Sequence, residues 1–243
     1  MRSLLPTAGE DVDVYDAVRP PEGRWLRVNF IESLDGAVVD AQGRSGGLGG
    51  AGDRAVFHAL RAQTDVVLVG AGTARTEHYG PHRPTPALVQ RRAADGRAAP
   101  AAIALVSGKL DLDPAAAVFS AAATPTIVLT SAASPADRRR ALAEVARVVV
   151  AGDTHVDLAE GLRRLRDDHG LASILCEGGP TLAGGLFSAG LVDELCVTLA
   201  PALVSTGGPR LVERLAGCVA LRLARVLEQD SELLLSYEVL RAG

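Results

Sequence analysis

Short continuous apolar runs recur along the chain, and segments with helical spacing separate them. Trp25 to Ile31 (WLRVNFI) is rich in β-formers and partly alternates, which predicts the first strand. Asp65 to Gly70 (DVVLVG), Ala101 to Ser107 (AAIALVS) and Pro125 to Thr130 (PTIVLT) are nearly all apolar, the pattern of parallel strands buried on both faces. Val148 to Val150, Ile174 to Glu177 and Glu194 to Ala200 predict three more strands. Asp53 to Gln63 predicts a helix, with apolar residues at 56, 57 and 60 and Asp53 as its N-cap. Further helices are predicted at Pro135 to Ala146 behind a Ser134 cap, at Asp157 to His169 closed by Gly170, and at Thr181 to Ala189. Residues 74–100 are polar and proline-rich, a long excursion with a short helix at 86–93. Residues 221–228 and 232–240 alternate, as two antiparallel strands joined by a turn would.

Strands alternating with helices at this spacing predict an α/β fold of three layers. Its twisted sheet is mostly parallel, covered on both faces, with antiparallel C-terminal strands. No linker and no repeat divides the chain, so residues 25–243 read as a single domain. Residues 1–24, with Pro6, Pro20, Pro21 and several acids, read as an irregular leader. The glycine-rich stretch Gly43 to Gly52 predicts a mobile loop. Of the 243 residues 48% are hydrophobic and 22% charged, enough apolar material to exclude a disordered chain. The formal charge of −4 lacks the basic footprint of a nucleic-acid binder. No apolar stretch approaches the roughly 18 residues that span a bilayer. The N-terminus shows no apolar h-region, so a cytoplasmic location is the expectation. Cys176, Cys196 and Cys218 sit in apolar runs and read as reduced, mostly buried thiols.

Ligands of open α/β sheets bind at the carboxyl ends of the strands. Three such ends stand out: Ser33-Leu34-Asp35-Gly36, Gly70-Ala71-Gly72-Thr73, and Glu177-Gly178-Gly179-Pro180-Thr181-Leu182. In the third, two glycines let a backbone approach a ligand, and Pro180 suits a first helical turn. Thr181 adds a hydroxyl and a free N–H. A helix N-terminus of this kind favours an anion such as a pyrophosphate, with Glu177 facing the ligand. An ordinary tight strand-to-helix turn has the same pattern. The Gly70 turn has neither Walker A spacing nor a full G-x-G-x-x-G. Asp35, followed by Gly36, also suits a plain turn. Arg54 and Arg61, seven apart on one helix face, could reach a substrate phosphate or simply be solvated. The histidines show no metal spacing and no C-x-x-C or G-x-S-x-G occurs, so neither a metal site nor a serine nucleophile is expected.

Taken in order, these segments resemble a known family. The carriers are Ser33 to Gly36, Leu60-Arg61 leading into Asp65 to Thr73, Glu177 to Leu182, and Leu191 to Leu195 with Ala200-Pro201. The chain resembles the reductase domain of bifunctional riboflavin biosynthesis proteins and the stand-alone pyrimidine reductase-like proteins of the dihydrofolate reductase-like superfamily. The resemblance covers residues 25–240. It implies a dihydrofolate reductase-like fold and NADPH as cofactor. The implied cofactor contacts are Ile31, Gly70, Gly72, Thr73, Glu77 and Ser107. Gly178, Gly179, Pro180, Thr181, Leu182 and Gly185 would wrap the cofactor's phosphates. Asn29, Ser33, Arg61 and Glu177 would meet the substrate, and Glu177 and Asp35 would carry the catalysis. The implied reaction transfers a hydride to C1′ of a ribosylamino-pyrimidine phosphate and opens the ribose to a ribityl chain. The protein then has only to place C1′ and supply a proton.

The chain departs from the family mainly on the substrate side. Asn29 and Ala37 stand where the family has lysines, and glycine-rich residues 46–52 replace a Trp-Ile-Thr stretch. Glu77-His78-Tyr79 replaces an Asp-Asn-Pro. The His-x-Glu and Pro-Cys-x-x-Cys of the deaminase domain do not occur. The expectation is an NADPH-dependent reductase acting on a small pyrimidine or pterin, working as a homodimer without nucleic-acid or membrane partners. A dihydrofolate reductase of the same fold, a non-catalytic NADPH-binding protein and a plain structural domain remain the alternatives.

Overall fold

The apolar runs become the strands of one sheet, of ten strands among the described residues. The computed structural model describes residues 1–97, 99–205 and 207–241; Ala98, Thr206, Ala242 and Gly243 lie outside them. The strands are β1 (Arg2–Leu5), β2 (Trp25–Ser33), β3 (Val66–Gly70), β4 (Ala102–Val106) and β5 (Ile127–Thr130), then β6 (Arg147–Val150), β7 (Ser173–Cys176), β8 (Glu194–Ala200), β9 (Leu221–Gln229) and β10 (Glu232–Val239). The helices are α1 (Val14–Ala17), α2 (Ala51–Ala62), α3 (Ala71–Thr76), α4 (Pro86–Ala94), α5 (Ala117–Ser120), α6 (Ala136–Ala143), α7 (Leu158–Asp167) and α8 (Pro180–Ser188). Strand order is β1-β9-β10-β8-β2-β7-β3-β4-β5-β6. From β8 to β6 neighbours run parallel; β10, β9 and β1 are antiparallel.

Alternate residues of the central strands supply two separate cores, which is why these strands read as unbroken apolar runs. Val66, Leu68, Ala104 and Leu129 pack against Leu162 and Leu165 of α7 and Leu182, Ala183 and Leu186 of α8. Val67, Val69, Ile103 and Leu105 pack on the other face against Ala74, Val118, Phe119 and Leu142 of α3, α5 and α6. A third cluster joins Tyr15, Val56 and Leu60 of α1 and α2 to Leu175, Cys196, Leu227 and Leu234 of the sheet. Three layers with antiparallel C-terminal strands are therefore the fold, as the sequence predicts.

The chain's path places the site. From β2 it crosses to β3, continues outward to β6, and returns to insert β7 between β2 and β3. It then lays β8 on the other side of β2. The carboxyl ends of β2, β7 and β3 thus adjoin where the chain changes direction, the usual place for a crevice in an open sheet.

Several expectations need correction. The leader is not irregular: Arg2–Leu5 pairs antiparallel with β9, and Tyr15 of α1 is buried. Four residues bounded by Pro6 are too few to show a strand's alternation. Asp53 does not cap α2; Gly50 is the N-cap and Asp53 lies in the first turn. The Gly70 turn opens directly into α3, and Pro135, expected as the first helical residue behind a Ser134 cap, is itself the N-cap of α6. Cys176 and Cys196 are buried, but Cys218 is exposed. No helix among the described residues is long and apolar enough to cross a membrane.

Candidate active site

A cleft of about 690 Å³ opens over the ends of β2, β7 and β3. Asn29, Phe30 and Ile31 of β2 form its floor, with Glu177, Gly179 and Pro180 after β7 and Thr73 and Glu77 of α3 and its C-cap. Asp53, Arg54 and Phe57 of α2 close one side, and Gly208 and Pro209 reach in from the segment after β8.

Two of the glycines after β7 are dictated by close approach. A side chain on Gly178, whose φ is +91°, would press on the Phe30 ring at 3.0 Å. One on Gly179 would sit 2.5 Å from the Thr73 hydroxyl oxygen. Gly70 donates its N–H to the Gly178 carbonyl (2.8 Å), so the two strand-end turns are one assembly. Neither Gly70 nor Gly179 supplies a side-chain cap to the helix it starts. Gly179 and Pro180 line the cleft, and the first N–H groups of α8, which begin at Thr181 because Pro180 has none, receive no side-chain acceptor from the cap, as an anion site requires.

Glu177 is buried at the end of β7. Arg61 grips it with Nε and Nη2, both at 2.6 Å from the two carboxylate oxygens, and the Tyr79 hydroxyl donates to Oε2 at 2.7 Å. The guanidinium also lies over the rings of Phe57 (4.2 Å) and Tyr79 (5.5 Å). Burial alone would depress the Arg61 pKa, but the Glu177 charge leaves it raised. Burial, then the same charge, holds the Tyr79 hydroxyl well above its usual 10, so it stays a donor. Both Glu177 oxygens are thus occupied. Sequence reading pairs Arg61 and Glu177 as substrate contacts; the fold brings them together, with each as the other's partner.

Asp35 is elsewhere. It is exposed beyond β2, outside the cleft lining, and its carboxylate accepts from Ser33 Oγ (2.5 Å), Val204 N (3.2 Å) and Ser205 N (2.7 Å). These donors pull its pKa down to about 2. Arg210 donates to the Asp35 carbonyl at 2.9 Å. Asp35 therefore anchors the segment that delivers Gly208 and Pro209, and the expectation of a catalytic Asp35 is corrected: the Asp-Gly turn signal reported a tether. Ser33 is buried and donates to Asp35, so it too leaves the substrate surface.

The other expected contacts divide. Asn29, Ile31, Thr73, Glu77, Gly179 and Pro180 line the cleft, and Gly70 and Gly178 build its wall. Gly72 lies in the first turn of α3, with open space where a side chain would be. Ser107 is buried beyond β4, where its hydroxyl accepts from Leu110 N (3.0 Å). Leu182 belongs to the core, and Gly185 makes room for Leu158 of α7. The Thr181 hydroxyl donates to the Glu213 carboxylate at 3.2 Å. For Ser107, Leu182 and Gly185 the packing gives a structural reason that a local motif cannot reveal.

The glycine run is not a free loop. Side chains at Gly47 and Gly49 would collide with the carboxylates of Asp40 and Asp53, and at Gly50 and Gly52 with that of Glu232. Glu232, buried at the start of β10, accepts from Gly50 N (2.5 Å) and Asp53 N (3.1 Å) and so caps α2 from another part of the chain. Glu77 accepts from Ser45 N at 2.9 Å, fastening the run to α3. Asp53, in the cleft beside Glu232, is the functional candidate that sequence reading missed. Its carboxyl pKa is raised by burial and by the Glu232 charge, against pulls from Thr198 and Arg54. An Asp inside a helix's first turn looks like a cap, and only the fold shows it facing a cleft.

Comparison with known proteins agrees with this geometry. The RibD C-terminal domain family matches residues 24–235. The 2,5-diamino-6-ribosylamino-4(3H)-pyrimidinone 5′-phosphate reductase of Methanothermobacter thermautotrophicus is 29% identical over 221 residues, covering 88% of this chain and 98% of that protein. The riboflavin biosynthesis protein RibD of Mycobacterium tuberculosis is 32% identical over 190 residues, covering 78% of this chain and 44% of that protein. Among solved structures, a pyrimidine reductase-like protein from Corynebacterium diphtheriae superposes with a TM-score of 0.84 at 26% identity, covering 95% of this chain and 100% of that one.

Proposed function

Since the chain belongs to the RibD C-terminal domain family, we propose that it is an NADPH-dependent reductase of a ribosylamino-pyrimidinone 5′-phosphate in riboflavin synthesis. The observation that carries this reading is the joined pair of glycine turns at the ends of β3 and β7, opening on a cleft that also holds Asp53 and Arg54.

The residues present fit a nicotinamide dinucleotide. Gly179 leaves space beside Thr73 that a Cβ would fill, and α8 offers its first N–H groups to a pyrophosphate. The bound cofactor would supply the hydride. Ile31 and Phe30 would floor the nicotinamide half and keep water from the reacting carbon. Arg54 is the one Lys or Arg in the cleft lining among the described residues, and its Nη1 donates to the Gly49 carbonyl at 3.0 Å. It would meet the substrate phosphate. This assigns the charge expected of the missing lysines to an arginine on a different element. The Arg61–Glu177–Tyr79 cluster would present a fixed edge to the pyrimidine ring. The exposed Leu221 and Leu223 of β9, with Leu4 of β1, suit a homodimer formed through that sheet edge.

The test is NADPH oxidation with the diamino pyrimidinone phosphate, its deaminated counterpart, and dihydrofolate in parallel. Turnover with either pyrimidine supports the reading and identifies its substrate. Turnover with dihydrofolate alone would replace it with a pterin reductase. Silence in all three, with NADPH still raising the melting temperature, would point to a non-catalytic binder.

A further inference from the structure

We propose that Asp53 is the proton donor of the reduction and that Glu232 holds it ready; this deepens the reading of the cleft as a pyrimidine-sugar reductase and rests on it. Hydride addition at C1′ requires the C1′–O4′ bond to break. Its electron pair goes to O4′, which must take up a proton as the ribose opens. C1′ is reduced, the dinucleotide is oxidised, and one proton is consumed per turnover. A protonated carboxyl group facing the substrate can deliver it.

The cleft lining contains four carboxyl groups among the described residues: Asp40, Asp53, Glu77 and Glu177. Three have their donors already. Asp40 accepts from the N–H groups of Gln42 and Arg44 (2.8 and 2.9 Å), Glu77 from Ser45 N, and Glu177 from Arg61 and Tyr79. Asp35 lies outside. Asp53 also has a donor, the Thr198 hydroxyl, and differs from the other three in having the buried Glu232 carboxylate beside it. It stands in the first turn of α2, and its carboxylate fills the space where a side chain at Gly49 would be. Its own N–H is consumed by the buried Glu232. Glu232 faces it from β10, Thr198 from β8 and Arg54 from its own helix, while Asp40, Glu77 and the Arg61–Glu177 pair share the cleft. Burial, with the Glu232 charge, favours the protonated carboxyl and outweighs the Thr198 hydrogen bond and the Arg54 charge, which favour the anion. That is the state a general acid needs. After donation, Asp53 is reprotonated by water through the open side of the cleft. Glu232 acts through Asp53 and is a positioning residue.

The experiment compares wild type, Asp53→Asn and Glu232→Gln. It measures kcat and KM against pH, dinucleotide binding by calorimetry, and the Asp53 carboxyl titration by ¹³C NMR. Asp53→Asn is expected to lose about 100-fold or more in kcat, the usual range for a general acid, with NADPH affinity unchanged within about threefold. It should also lose the limb of the pH profile on which activity falls as Asp53 deprotonates. Glu232→Gln removes a negative neighbour, so that limb and the NMR titration should both shift to lower pH. Wild-type turnover with an equally active Asp53→Asn would overturn the assignment alone. An Asp53 titration at or below the ordinary value of 3.8 would overturn it without reference to turnover. No wild-type turnover on either pyrimidine phosphate would overturn the reading of the substrate, and this assignment with it.

Discussion

Glu177 and Asp53 line one cleft, the first at the end of a central strand and the second in the first turn of α2, and their surroundings differ in kind. Glu177 is held by three donors on two side chains, and its partner Arg61 is itself sandwiched against aromatic rings. Asp53 has a buried carboxylate next to it, and its own fills the space where a side chain at Gly49 would be. A carboxyl whose oxygens are all taken can hold a shape; one whose neighbours disfavour its charge can give up a proton. The difference teaches that residue type and position in a cleft do not assign a role. The donors around the oxygens do.

The comparison can be broken first at its rigid end. Arg61→Ala leaves Glu177 buried without its cation, and removing one partner of a buried pair typically costs about 3–5 kcal/mol. Urea unfolding should show a loss in that range, and a loss under 1 kcal/mol would mean that Glu177 finds water instead and is not a structural carboxylate. Next comes the wall between the two ends. Gly179→Val places a side chain against the Thr73 hydroxyl, where the dinucleotide is expected to pass. NADPH affinity should fall about 30-fold, roughly 2 kcal/mol, and the melting temperature should fall too, because a Cβ at Gly179 would lie 2.5 Å from the Thr73 hydroxyl oxygen and force a shift in the empty protein. Unchanged affinity would move the cofactor away from this turn. On the Asp53 side, Arg54→Ala should raise KM for the pyrimidine phosphate about tenfold and leave kcat almost unaltered, as loss of uniform binding does. An equal KM for the phosphorylated and dephosphorylated substrates in wild type would remove Arg54 from that role.

How much of this is legible in the sequence follows from how local each cause is. The parallel strands are visible because both faces of β3, β4 and β5 are buried, so nearly every position is apolar. The turn after β7 is visible because two close approaches demand two glycines in a row. The Arg61–Glu177 partnership joins residues 116 apart, and sequence reading sets each beside the ligand without showing that each is the other's partner. Glu232 capping α2 is not legible at all: it lies 182 residues from Gly50 and reads as an ordinary polar position at the start of a strand. The glycine run misleads for a related reason. Glycine there reads as freedom, yet at positions 47, 49, 50 and 52 it makes room for carboxylates that arrive from elsewhere. Asp35 misleads in the other direction, since the Asp-Gly pair that resembles a site is a tether for the segment after β8.

The smallest effect tests where the two ends meet the anion. Glu213 accepts from the Thr181 hydroxyl in the first turn of α8, and its own N–H donates to the Pro180 carbonyl at 3.2 Å. A negative charge beside a helix N-terminus stabilises the empty helix. The same charge opposes a pyrophosphate arriving at those N–H groups. Glu213→Gln keeps a hydrogen-bonding group near Thr181 and removes the repulsion, so NADPH should bind about threefold more tightly, roughly 0.6 kcal/mol. Because the charge is exposed, the gain should shrink as salt is added. Thr181→Val in the same background should then cost affinity only if its hydroxyl turns from Glu213 to the phosphate. If the double variant binds as the single one does, the backbone of α8 alone holds the anion and Thr181 serves the segment that covers it.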